Sequence, residues 1–156
     1  MLNSIVCLML IGAMQFAPID TFKKEMAPIQ NDVNDAVNST GARTMGDGAK
    51  ASYLNGYGIV VVVEVMFEQA PNPFSSSKTP DQVRAVVSKR RKQVEDNLRQ
   101  LLKSRVTTAE SLGPAQSMAV ILHLLNTTRA DVPNLPGQIV FSVKKDAPGD
   151  IDIREF

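Results

Sequence analysis

Tryptophan is absent from this 156-residue chain, tyrosine occurs twice, and histidine and cysteine once each. One cysteine forms no internal disulfide. One histidine with one cysteine also cannot supply the Cys and His sets of a structural zinc site. Charge of one sign is missing too: 17 Lys and Arg stand against 16 Asp and Glu, a formal net charge of +1. No global field therefore favours nucleic acid, an anionic membrane surface or an acidic substrate, and any such partner needs a local patch. No run approaches the 18 to 20 or so apolar residues that span a bilayer. The patterns H-E-x-x-H, G-x-x-x-x-G-K-[ST], G-x-S-x-G and C-x-x-C are all lacking. No catalytic residue, metal ligand or cofactor is assigned on these grounds.

What remains is a composition suited to one globule. At 44% hydrophobic and 21% charged, the chain is too apolar for a disordered tail and too polar for a multispan membrane protein. A globule of this length buries about 68–70% of its unfolded surface, enough for a core without staples.

Ile5 to Ala13 is an apolar run of signal-peptide length, followed by Gln15, Pro18 and a polar stretch. Met1 to Ser4 carries no Lys or Arg, and neither Ala13 nor Ala17 gives an A-x-A cleavage match. Residues 1–17 are read as a signal peptide or N-terminal apolar segment, and the protein as exported, periplasmic or secreted; the alternative is a buried N-terminal element of a cytoplasmic protein. Cleavage would remove Cys7.

Residues 18–52 are poor in large apolar side chains and are expected to be polar, partly helical or mobile. Ile29, Val33 and Val37 recur at helical spacing, which predicts a weak helix over 28–37 ended by Asn38 to Gly41. Residues 53–156 are expected to form a single compact domain. Ile59 to Glu68 predicts a strand whose odd positions are all apolar and whose even positions begin apolar at Val60 and Val62 and turn polar at Glu64 and Glu68, so one face should be buried throughout and the other only at its start. Ala70 to Lys78, with Pro71, Pro73 and a serine run, predicts an exposed loop.

Thr79-Pro80-Asp81-Gln82 carries an N-cap, a proline at the first helical position and a capping-box glutamine. The helix it opens should run to about Arg105. Val83, Val86, Val87, Val94, Leu98, Leu101 and Leu102 share one stripe, and Arg90 falls inside it. Arg90 is expected to snorkel, to pair with a buried carboxylate such as Glu64, or to point into a pocket. Met118 to Leu125 suits a buried strand better than a helix, and Gln138 to Lys144 alternates as its antiparallel mate. Ala147 to Asp150 reads as a turn and 151–156 as a short edge strand or ordered tail. The expected fold is α/β of the α+β kind: a small, mostly antiparallel sheet of three or four strands, one long amphipathic helix on one face, and the weak N-terminal helix.

Few residues carry candidate chemistry. Gly56 and Gly58 precede a strand, the wrong side for a dinucleotide fingerprint. His123 stands alone among aliphatics, where a half-exposed or hydrogen-bonded structural residue is the expectation. Asp146, Asp150 and Asp152 lack the spacing of a calcium loop. Glu64 and Glu68 lie about 13 Å apart along a strand, too far for a shared proton. Two groupings stand out. Lys89, Arg90, Arg91 and Lys92 form a basic contact surface on a helix with eight basic and three acidic residues between Asp81 and Arg105. Tyr57, Arg90 and His123 would line a pocket if the fold brings them together.

The sequence is read as a small, non-catalytic domain acting through protein or surface contacts, with a protein partner or self-association as an oligomer. The case for an oligomer is that one helix covers only one face of the sheet. Nucleic acid is not expected as a partner, and membrane-surface contact would be weak. The alternative is a small enzyme or small-molecule binder using the Tyr57, Arg90 and His123 pocket.

Overall fold

A computed structural model describes residues 19–68, 78–125, 132 and 135–156. The apolar run at 5–13 and most of the loop expected at 70–78 lie outside these residues. The elements run α1 (Ile19–Asn38), β1 (Arg43–Thr44), β2 (Lys50–Leu54), β3 (Gly58–Met66), α2 (Pro80–Thr108), β4 (Ser117–Leu124), β5 (Gln138–Lys144) and β6 (Ala147–Glu155). They form one α+β unit of two helices on a six-stranded mixed sheet. The strand order is β1-β3-β4-β5-β6, with β2 also pairing β3.

The sheet is larger than expected. β3 and β4 pair in parallel, joined by the α2 crossover, and the remaining pairs are antiparallel. β1 and β2 correct the expectation of three or four strands. The readable signal for β2 is Asn55-Gly56, a strong hairpin dipeptide between two strands. Gly56 adopts a left-handed φ of 79° there, and Tyr57 N–H donates to Leu54 O at 3.1 Å.

β6 also begins earlier than expected. Ala147 pairs with Lys144, so Lys145 and Asp146 make the turn and Ala147 to Asp150 belong to the strand. A proline is tolerated there because β6 is an edge strand, where one face of the ladder needs no donor.

α1 starts well before Pro28. Phe22 and Met26 extend the Ile29, Val33, Val37 stripe backwards, and Pro28 falls on the exposed side of the helix. Ile29, Val33 and Val37 are buried in the same core as β3, α2, β4 and β5, so residues 19–52 contribute to that core. α2 opens with the full capping box: Gln82 N–H donates to Thr79 Oγ1 at 3.3 Å, and Thr79 N–H donates to Gln82 Oε1 at 2.9 Å. Its buried residues are Val83, Val87, Val94, Leu98, Leu102 and Val106.

Loop groups fasten the helices to each other and to the sheet. The Glu25 carboxylate on α1 accepts from the backbone N–H groups of Glu110 and Ser111 at 2.6 and 3.3 Å and from the Ser111 hydroxyl, which is buried. Lys145 Nζ donates to the carbonyls of Ala109 and Leu112 at 2.6 and 2.8 Å, satisfying acceptors beyond the end of α2. Asn34 Oδ1 accepts from Ala49 N–H at 2.9 Å, tying α1 to the chain entering β2.

Candidate contact surface

Both helices lie on one side of the sheet. Ile59, Val61, Val63 and Val65 of β3, Met118, Val120 and Leu122 of β4, and Ile139, Phe141 and Val143 of β5 point towards them and are buried. The alternate residues point the other way, where no described element covers them. Strand register sets these residues side by side: Val60 with Ala119, Val62 with Ile121, Glu64 with His123, then Ile121 with Val140 and His123 with Gln138. Val60, Val62, Ile121 and Val140 thus form an apolar strip across three strands. Val61 is 0% exposed and Val62 is 36% exposed, a contrast that follows only from the side each faces. Leu54, in register with Gly58 at one end of the face, is 48% exposed.

Polar groups surround this strip, and two pairs of them are closed within the chain. On β6, Arg154 Nε donates to Asp152 Oδ2 at 2.7 Å; at the opposite edge Lys50 Nζ lies 3.1 Å from Asp47 Oδ2. Burial raises the pKa of the Tyr57 phenol, and the nearby positive charge of Arg154 partly offsets this. Tyr57 therefore senses the charge carried by β6.

The residues singled out in the sequence are not brought together. Tyr57 sits beside Gly58 at one end of β3, whereas His123 pairs with Glu64 near the other end, six residues or about 20 Å along the strand. His123 is exposed on the uncovered face. Arg90 lies on the opposite side, within α2. Its Nη1 donates to Phe67 O at 2.7 Å and to Glu68 Oε2 at 2.8 Å, with Lys78 also on that carboxylate. The carboxylate partner is thus Glu68 rather than Glu64. Glu64 keeps the strand alternation and faces away from the helices, while Glu68, past the end of β3, turns back towards α2.

The basic cluster divides in the same way. Arg91 Nε donates to Glu95 at 2.8 Å and its Nη2 to Glu155, tying α2 to β6. Desolvation alone would lower the Arg91 pKa, but the hydrogen bond to Glu95 and the charges of Glu155 and Glu95 outweigh it and raise it. Lys89 and Lys92 are exposed on the outer side of α2. Arg90 and Arg91 are thus structural ties, and half the expected contact surface is spent inside the molecule.

A cavity of about 280 Å³ lies between α1 and the C-terminal end of α2, lined in part by Glu25, Arg105 and Glu110. Two of its charged groups are engaged, Glu25 as described and Arg105 with Asp32. Among the described residues no group of three or more His, Cys, Asp or Glu is placed to hold a metal ion, and no helix is long and apolar enough to cross a membrane.

Ile121 and Val140 were not singled out by sequence reasoning, and Val62, expected to be buried at the start of the strand's second face, is instead 36% exposed. The available signal was that β3, β4 and β5 each carry apolar residues at both parities, more than one helical layer can cover. No family model, no curated protein and no solved structure matches the chain.

Proposed function

We propose that this protein is a non-catalytic contact domain whose working surface is the uncovered face of the sheet, and that it engages an uncharged, apolar protein surface there. The observation that supports this is the Val60, Val62, Ile121, Val140 strip, which no described element covers because both helices lie on the other side. A neutral centre with a polar rim is the anatomy of protein interfaces. The chemistry of the partner follows from the centre of the face: the strip itself is uncharged, and beside it Asp152 pairs with Arg154 and Lys50 with Asp47.

Site-specific photo-crosslinking in the native host tests the reading. A photoreactive residue at position 121 is expected to give a discrete adduct, and one at position 92, on the outer side of α2, is not. Equal adducts at both positions, or none at 121, would contradict it. The apolar run Ile5 to Ala13 supports an exported form of the domain. Recovery of intact Met1 on the mature protein from its host would end that part of the reading.

A further inference from the structure

The two edges of the sheet are built differently. One is broken: β1 and β2 are two and five residues long, both lie along β3, and the Gly46 to Gly48 turn interrupts them. The other is β6, nine residues with no strand beyond it among the described residues. Phe156 N–H donates to Gln138 O at 3.0 Å and Gln138 N–H donates to Phe156 O at 3.1 Å. A residue pair that exchanges both bonds fixes the phase of an antiparallel ladder. Arg154 and Asp152 therefore bond inwards to Val140 and Ser142, and the backbone groups of Ile151, Ile153 and Glu155 point outwards. Arg91 holds the Glu155 side chain, and Ile151 and Ile153 pack part-buried against the core, so this edge is anchored.

We propose that β6 is a self-pairing edge, to which a second copy of this chain adds its own β6 antiparallel about a two-fold axis through Ile153. In that register Ile153 meets its counterpart, Ile151 meets Glu155, and Asp152 and Arg154 of each copy meet Arg154 and Asp152 of the other. Charge selects the register. An axis through Ile151 sets Asp150 against Asp152, an axis through Asp152 sets that residue against itself, and an axis through Arg154 does the same for the arginine. Opposite charges across a strand pair are stabilising and like charges destabilising. The charged side chains that deter pairing with an arbitrary strand are thus matched by the same strand inverted. Pro148, which lacks a donor, lies outside the paired stretch. The join would merge two uncovered faces into one continuous surface, but it rests on the edge alone and does not depend on what the face binds.

Sedimentation velocity of the full chain over a concentration series tests this. The wild type is expected to show a monomer–dimer equilibrium. Ile153→Pro removes an outward donor that the β5 ladder does not use, and should leave a folded monomer. Asp152→Arg, which replaces opposite charges by like ones, should weaken the dimer by about tenfold or more, a change of roughly 1.4 kcal/mol. The double variant Asp152→Arg, Arg154→Asp should restore it, which guards against a proline variant that fails to fold. Val62→Lys should leave the dimer intact. A monomeric wild type at several hundred micromolar, a dimer that survives Asp152→Arg, or a dimer lost in Val62→Lys would each overturn the proposal.

Discussion

Val61 and Val62 are consecutive in one strand and identical in chemistry, yet one is sealed beneath two helices and the other faces outwards. The difference comes from topology. α1 and the α2 crossover fall on the same side of the sheet, so one parity of every strand builds the core and the other builds a surface. A strand apolar on both faces usually belongs to a sheet covered on both sides, and among the described residues only one cover is present. The surplus of apolar residues on β3, β4 and β5 is thus unexplained by the described core, and the proposed contact role is what would account for it.

That comparison can be broken most severely at Val61. Val61→Lys places an ammonium among buried aliphatics with no partner and is expected to cost more than about 4 kcal/mol, enough to unfold a domain of ordinary stability. Chemical denaturation would read this directly, and a folded Val61→Lys protein would show that the covered face is misassigned.

Gly58 marks where the uncovered face stops being free. A Cβ there would stand 2.1 Å from Ser117 O, at a φ of +124°, where β3 and β4 close against each other. Gly58→Ala should destabilise by about 3 kcal/mol or more, by clash and backbone strain together. A loss under about 1 kcal/mol would mean the strands separate easily at this end.

Lys89 and Arg90 repeat the comparison on α2. Arg90→Ala strands the Phe67 carbonyl and removes a partner of Glu68, at an expected cost of about 1–3 kcal/mol. Lys89→Ala should stay within about 0.5 kcal/mol. Equal effects would refute the division of the basic cluster into ties and surface.

The smallest expected effect is on Tyr57. Its phenol should titrate above the ordinary value near 10, in a spectrophotometric titration of a Tyr53→Phe background, and Arg154→Ala should raise it further. Because the folded state holds this proton more tightly, its contribution to stability is complete below about pH 10 and is lost as the pH rises through and beyond that value. A midpoint at or below 10 would place Tyr57 away from the sheet.

The elements with strong local chemistry were legible in the sequence. The capping box at Thr79 set the start of α2, alternation set β5 over Gln138–Lys144, and the ambiguous Met118 to Leu125 run is a strand as expected. α1 was only half visible, because Pro28 reads as a helix start when it is in fact an exposed interior residue. β2 was missed because Lys50 to Leu54 has too few apolar residues to announce itself, and only the Asn55-Gly56 turn gives it away. The site was less legible than the fold. Tyr57, Arg90 and His123 attracted notice as scarce or misplaced residues, and their separation depends on which side of the sheet each faces, a property no local pattern encodes. Arg90 was rightly read as a residue inside the apolar stripe, but its partner depended on where β3 ends.

The central claim is that the uncovered face serves contact and not stability. Val62→Lys tests it most directly, by measuring on one variant both the unfolding free energy and the crosslinking yield from position 121. The account predicts a stability within about 1 kcal/mol of wild type together with loss of the adduct. An adduct that persists undiminished in a folded Val62→Lys protein would contradict it.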